Sequence, residues 1–280
     1  MQHPPVLTDT QALARHRARA LRAPALFLQE HAALEIEERL NEVKKRFTSV
    51  AVVTPFPQVW AARMPNARLV RDEDTLSLDP SAYDLVIHAL CLHWANDPVG
   101  QIVQCRRALR PDGLFLGVMF GGQTLAELRA SLAEAEAKVT GGLSPRVLPM
   151  GEIRDLGALL QRAGLALPVA DSTVLTVSHR DSFALMHDLR AMGETNALAL
   201  RNRRPAPRTM FSEAARLHAD HFATPDGRVR SSFEMIFLTG WAPDESQQKP
   251  LRPGSAKTRL ADALKAPEIT IGDAATPHPD

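Results

Sequence analysis

The sequence has little of several features that would point directly to a function. It contains two cysteines in 280 residues, Cys91 and Cys105, and no C-x-x-C motif, which argues against a disulfide framework or a thiolate zinc site. The formal net charge is +1, so no overall field favours nucleic acid or an anionic membrane. The longest mostly apolar run, residues 114–120, is far shorter than the roughly 20 residues of a membrane-spanning helix. We therefore expect a cytoplasmic globular protein with no nucleic-acid partner, no transmembrane segment and no metal site.

The chain also lacks glycine in the turn that follows its first predicted strand. Residues 46–60 read RFTSVAVVTPFPQVW, and the apolar strand ending at Val53 leads directly into the turn TPFP (54–57). Its two prolines have a fixed φ and no N–H group, and Phe56 adds bulk. Nucleotide-binding folds use glycine at such a turn, because the ligand must approach the backbone closely. Thr54 is the polar residue of this turn and a candidate ligand contact.

The pattern of apolar residues predicts two N-terminal helices and then strands that alternate with helices. The predicted strands are SVAVV (49–53), ARLV (67–70), YDLVIHAL (83–90), LFLGVMF (114–120), TVLTV (173–177) and a closing, antiparallel strand within RVRSSFEMIFLTGW (228–241). Strands separated by helices of about a dozen residues indicate parallel βαβ units in a doubly wound sheet. The sequence therefore predicts an α/β fold.

Local signals predict where several helices begin and end. Thr124 and Glu127 have the spacing of a capping box at the start of a helix, and further helices are predicted over residues 181–192 and 208–222. We expect three parts in the chain: an N-terminal helical segment (1–47), an α/β domain (48–243) with a helical insertion (179–227), and an extended tail (244–280).

The order of these elements, together with the strings YDLVIHALCLHW (83–94) and ALRPDGLFLGVMF (108–120), resembles a class I S-adenosylmethionine (SAM) methyltransferase. The chain is most similar to the group that contains the biotin-synthesis malonyl-carrier-protein methyltransferases and an arginine-hydroxylating assembly factor of respiratory complex I. Residues 90–132 and the strings DLGALLQRAG, DLRAMGETNA and GWAPDESQQKPLRPGSA carry this likeness. It implies a Rossmann-like sheet, SAM as cofactor, and a protein or carrier-protein substrate such as a respiratory-complex subunit.

The resemblance also shows what this chain lacks. The family has glycines after the first strand, an acid after the second strand that holds the ribose, and an acid after the third strand near the adenine. Only 18 residues separate Val53 from Asp72, which leaves room for one helix and one strand. The acidic run at 72–74 then corresponds to the adenine side, and the sheet is one strand short. Two lost hydrogen bonds of about 1.5–3 kcal/mol each would weaken binding roughly 100-fold to 10,000-fold.

We therefore expect a degenerate cofactor site, without an assigned catalytic residue. Alternative roles are a solvated loop for the acids, a small core residue for the cysteine, and cover of the sheet edge for the His-Trp pair. Two functions follow: a non-catalytic family member that acts in the assembly or modification of a partner protein, or an active SAM-dependent methyltransferase or SAM-using hydroxylase. The candidate cofactor contacts are Thr54, Asp72, Glu73, Asp74, Leu90, Cys91, His93 and Trp94.

Overall fold

The computed structural model describes residues 6–248 of the protein. The chain divides into one unit that ends at Asp244 and a second that begins at Glu245. The tail predicted over residues 244–280 lies, from residue 249 onward, outside the described residues. No helix within residues 6–248 is long and apolar enough to cross a membrane.

Within the described residues, eight α-helices and six strands follow the predicted order. The helices are α1 (Thr10–Ala20), α2 (Phe27–Glu42), α3 (Pro57–Arg63), α4 (Pro98–Ala108), α5 (Ala126–Thr140), α6 (Ile153–Arg162), α7 (Ser182–Ala191) and α8 (Arg208–Phe222), and a 3-10 turn covers Leu92–Trp94. The strands are β1 (Val50–Val53), β2 (Arg68–Val70), β3 (Tyr83–Ala89), β4 (Leu109–Phe120), β5 (Ala166–His179) and β6 (Val229–Trp241).

The strands form one sheet in the order β2-β1-β3-β4-β6-β5. β1 runs parallel to β2 and β3, so that Ala51 lies opposite both Arg68 and Val86. β6 is antiparallel to β4 and to β5. The predicted α/β fold and its antiparallel closing strand are confirmed. β2 pairs directly with β1, so the short segment after β1 leaves no gap in the sheet.

Helices cover both faces of this sheet because side chains alternate along each strand. Val52 packs into the core beneath α2, α5 and α8, whereas its neighbours Ala51 and Val53 pack into the core beneath α4 and α6. The two cores hold the carboxyl ends of β1, β2 and β3 at one edge, which is where open α/β sheets bind ligands.

The predicted capping box at residues 124–127 is wrong. α5 begins at Ala126, and its N-cap residue Leu125 has a φ of +55° and makes no side-chain cap. The hydroxyl of Thr124 instead donates to the Glu234 carbonyl and accepts from the Glu234 N–H, both at 3.1 Å. Glu127 accepts from the Ser232 hydroxyl at 2.6 Å. Both side chains bind β6 because the start of α5 lies against that strand.

Candidate cofactor site and adjoining cavity

A cavity of about 700 Å³ lies at the carboxyl edge of the sheet, between α1 and the ends of β1, β2 and β3. We call it the edge cavity. Leu13, Ala14 and Arg17 of α1 line one side, and Thr54 and Pro55 line the other. Its size lies within the range of about 300–1,000 Å³ that is usual for small-molecule sites.

The edge cavity brings together six of the eight predicted cofactor contacts. Leu90 and His93 are not part of its lining. Leu90 is buried in the core and donates its N–H to the Val118 carbonyl. His93 is buried against Glu194. The role of all eight residues in cofactor binding stays a prediction. The six that line the cavity are Thr54, Asp72, Glu73, Asp74, Cys91 and Trp94.

The turn after β1 offers the edge cavity no free amide hydrogen. The Thr54 N–H donates to the Val70 carbonyl at 2.9 Å, and the Phe56 N–H donates to the Thr54 hydroxyl oxygen at 3.1 Å. Pro55 and Pro57 have no N–H. The expected obstruction by Phe56 is wrong, because its side chain is 1% exposed and packs in the core beneath α2.

Two arginines line the edge cavity, Arg17 and Arg71, and Arg17 is the buried one. It reaches across from α1 and forms an ion pair with Asp72, in which both side chains are about nine-tenths buried. Its Nε and Nη2 atoms are buried without a hydrogen-bond partner among the described residues. A buried guanidinium with unused N–H groups is suited to an additional acceptor, such as a carboxylate.

The acidic run is fixed through its backbone. Gln101 donates to the Glu73 carbonyl at 3.2 Å, and Gln104 donates to the Asp74 carbonyl at 3.0 Å. The carboxylates of Glu73 and Asp74 are exposed at the mouth of the cavity. The backbone is therefore held in place while the two carboxylates remain available to a ligand hydroxyl.

Burial favours the neutral forms of two groups at the edge cavity, His88 and the lining residue Cys91. Burial lowers the pKa of His88 to about 4, and its Nε2 lies 2.8 Å from Oε1 of Gln101. Burial raises the pKa of the Cys91 thiol, and the nearby Asp72 carboxylate adds to this effect. A neutral thiol is a poor nucleophile, so the structure supports a packing role for Cys91.

A second cavity, of about 780 Å³, lies between α5, α7 and α8 at the same edge of the sheet. We call it the insertion cavity, because residues 183–212 supply one of its sides. Its walls are mostly apolar. They include Phe120, Leu128, Leu132, Met150, Phe211 and Phe233.

Trp94 lines both cavities and is held in place by a buried carboxylate. The Trp94 indole N–H donates to Oε2 of Glu194 at 2.6 Å, and the same oxygen lies 3.2 Å from Nε2 of His93. Glu194 itself lines the insertion cavity. Sequence analysis missed this role of Glu194 and that of Arg17. Two features of the sequence could have indicated these roles. Arg17 lies on the apolar face of α1, four residues after Leu13, and Glu194 lies in the family-like string DLRAMGETNA.

Comparison with known proteins assigns the chain to a family. A family described as a methyltransferase domain matches residues 29–117. Arginine-hydroxylase NDUFAF5, mitochondrial, of zebrafish (Danio rerio) is 34% identical over 238 residues, which cover 85% of this chain and 72% of that protein. Its human counterpart is 38% identical, but the match spans only 58% of its length.

A bacterial relative has a different named activity. The malonyl-[acyl-carrier protein] O-methyltransferase of Xylella fastidiosa (strain M23) is 33% identical, over 72% of this chain and 69% of its own. Among solved structures, the YcgJ protein of Bacillus subtilis has a TM-score of 0.47 at 12% identity, over 76% of this chain and 99% of its own. This last likeness is too weak to bear on function.

The protein belongs to the class I SAM-dependent methyltransferase superfamily, in the group that includes NDUFAF5 and the malonyl-carrier-protein methyltransferases. SAM, the predicted cofactor, is confirmed as the cofactor of this family. The edge cavity fits it in part: Asp72, Glu73 and Asp74 offer acceptors for hydroxyl groups, and Arg17 offers N–H groups for a carboxylate. The turn at 54–57 adds no amide donor.

Proposed function

We propose that the protein is a SAM-dependent enzyme that modifies a side chain of a partner protein. The observation that carries this proposal is the arrangement of two cavities about one shared residue, Trp94. The edge cavity has the acids and the guanidinium for the cofactor, and the insertion cavity has room for an acceptor. Group transfer depends mainly on holding donor and acceptor in line at short distance, which two adjoining cavities favour.

In this proposal, residues of the chain hold the cofactor from three sides. Arg17 binds its carboxylate, Glu73 and Asp74 accept from its hydroxyl groups, and Thr54 contacts it from the turn after β1. When bound, SAM supplies an activated methyl group on a sulfonium sulfur. Trp94, which lines both cavities, would contact the cofactor on one side and the acceptor on the other, and the apolar side chains of the insertion cavity would exclude water.

The partner class follows from the relatives. Arginine-hydroxylase NDUFAF5 is named for arginine, and the malonyl-[acyl-carrier protein] O-methyltransferase for a carrier-protein substrate. We infer a protein substrate for this chain, with a respiratory-complex subunit or a carrier protein as the candidates.

A second candidate function is a non-catalytic assembly factor with a degenerate cofactor site. It is favoured by the turn at 54–57, which presents no free amide hydrogen, and by Asp72, which already pairs with Arg17. Such a protein would keep the insertion cavity as a binding surface and would have lost tight binding of SAM.

Calorimetric titration of the full chain with SAM and with S-adenosylhomocysteine separates the two candidates. The proposed enzyme should bind both ligands with dissociation constants in the micromolar range. The absence of heat up to millimolar ligand would contradict the enzyme and support the assembly factor. Mass spectrometry of candidate substrates incubated with SAM would then identify an added methyl group or oxygen atom.

A further inference from the structure

The two edges of the sheet differ in their protection. β2 forms one edge, has three residues and exposes Arg68. β5 forms the other edge over the 14 residues Ala166–His179. An edge strand presents unpaired N–H and C=O groups to any further strand, and proteins usually limit such pairing with short strands, charged side chains, prolines or bulges. β2 has two of these features, whereas the length of β5 leaves it open to pairing unless its sequence prevents it.

Only the first part of β5 has such protection. Its register with β6 shifts between Ala166 and Val169, and Pro168 has no N–H to donate. Residues 172–178, which we call the STVLTVS segment, contain no charged residue, proline or glycine. Within residues 6–248, the only group outside β5 and β6 that bonds to the backbone of this segment is the Arg228 side chain, at the Ser178 carbonyl. In the described part of the chain, the segment therefore presents a free edge.

The side chains of the STVLTVS segment divide between the two faces of the sheet. Leu175 and Val177 pack against the core beneath α2, α5 and α8. Val174 is 55% exposed on the other face, and Thr176 is exposed beside it. Valine and threonine favour strands, and no residue of the segment lines either cavity. A strand paired here would cover apolar surface and leave the candidate site open.

The segment is nearly symmetric about Leu175, so it complements a second copy of itself. In an antiparallel pair centred on Leu175, Val174 lies opposite Thr176 of the second copy. Asp171 lies opposite His179, so an acidic group meets an imidazole at each end and no like charges face each other. Opposite residues of paired strands share a face, and the core-facing residues of both copies therefore stay on one side.

We propose that the protein forms a two-fold symmetric dimer in which β5 of one copy pairs antiparallel with β5 of the other, centred on Leu175. The two six-stranded sheets then form one continuous sheet. The interface is isologous, as two-fold symmetry requires, and main-chain hydrogen bonds hold it as in β-augmentation. A second copy is favoured over an unrelated peptide because the segment itself supplies the complementary strand. The dimer does not depend on the proposed function.

Sedimentation velocity of the full chain over a range of concentrations tests the dimer. We expect the mass to rise with concentration from that of one 280-residue chain towards twice that value. Hydrogen exchange on the same samples locates the interface. Amides of residues 172–178 should exchange more slowly as the concentration rises, because pairing protects the outer edge. Amides of β1, which has strands on both sides, should show no such dependence.

Charge variants test the position of the two-fold axis. Thr176→Lys should weaken the dimer by about 10-fold or more, because the two introduced charges are diagonal neighbours on one face. Thr176→Asp should do the same, and an equimolar mixture of the two variants should restore the dimer because the introduced charges are then opposite. Ala62→Lys is the control. It adds a charge at an exposed position of α3, on the other half of the sheet, and should leave the dimer unchanged.

Several results would overturn the proposal. One is a monomer at every concentration, whether residues 172–178 are protected or not. Another is a dimer in which exchange at these residues does not depend on concentration. A dimer that Thr176→Lys and Ala62→Lys weaken equally, or that the mixed Thr176 variants do not restore, would place the interface elsewhere. Hydrogen exchange needs no variant, so the test holds even if Thr176→Lys does not fold.

Discussion

Arg17 sets the charge of the edge cavity. It neutralises Asp72, and within residues 6–248 two of its buried nitrogens, Nε and Nη2, have no partner. An unsatisfied buried N–H costs free energy in the protein alone, and a ligand that accepts from it recovers that cost. Arg17, which occupies the Asp72 carboxylate, is thus also the strongest candidate for a cofactor contact.

Replacement of Arg17 should therefore weaken the binding of SAM. We expect Arg17→Met to lower the affinity by about 10-fold to 100-fold, the equivalent of one charge-assisted hydrogen bond of about 1.5–3 kcal/mol. Calorimetry measures the change, and Arg17→Lys should recover part of the affinity. Arg15→Met is the matched control, because Arg15 is exposed on the same helix. Wild-type affinity in Arg17→Met would remove Arg17 from the site.

At the scale of the elements, the start of α5 is fixed by β6 and not by its own cap. Thr124 is 1% exposed, and its hydroxyl makes two hydrogen bonds to the backbone of Glu234. We expect Thr124→Val to lower the free energy of unfolding by about 1–3 kcal/mol, because it leaves a buried carbonyl and a buried N–H unpaired. Urea denaturation measures this loss.

The control for this change is Thr209→Val in the first turn of α8, where the side chain is exposed. It should alter the free energy of unfolding by less than about 0.5 kcal/mol. Equal effects of the two substitutions would mean that the contact between α5 and β6 does not determine where α5 begins.

The same elements show what the sequence could and could not predict. α8 spans Arg208–Phe222 as predicted, and Asp181 caps α7 by accepting from the Ala184 N–H, because these signals act within one turn of helix. The residues 124–127 have an equally good local signal, but a strand more than 100 residues away competes for both side chains. Local pattern cannot reveal such competition.

At the scale of the whole molecule, the candidate site depends on contacts between distant segments. The acidic run and Trp94 could be placed at the sheet edge from the order of strands alone, because parallel strands bring their carboxyl ends together. The partners of these residues could not be predicted. Arg17 is 55 residues from Asp72 in sequence, and Glu194 is 100 residues from Trp94, so only the folded chain shows that these residues line two cavities that share Trp94.

Because Trp94 lines both cavities, we predict that a ligand in one cavity changes the affinity of the other cavity for its ligand. Trp94 lines both cavities, and its indole N–H is held by Glu194, so a ligand in the edge cavity and a substrate side chain in the insertion cavity would both contact it. Each ligand therefore reduces the freedom of the same group, and the second to bind loses less entropy. We expect S-adenosylhomocysteine to strengthen binding of the protein substrate by about 5-fold or more, with the same factor in the reverse direction.

Trp94→Phe tests whether this coupling passes through Trp94. The variant keeps an aromatic ring but loses the N–H that donates to Glu194, so each ligand should still bind while the coupling factor falls towards one. Titration of each ligand in the presence and absence of the other gives the factor in both directions. Trp241→Phe in β6 serves as the control, since Trp241 lines neither cavity. If Trp94→Phe retained the full coupling, the two cavities would have to communicate through a different element. The next to examine would be α1, which lines the edge cavity and, with its N-cap residue Asp9, contacts Gly193 and Arg201.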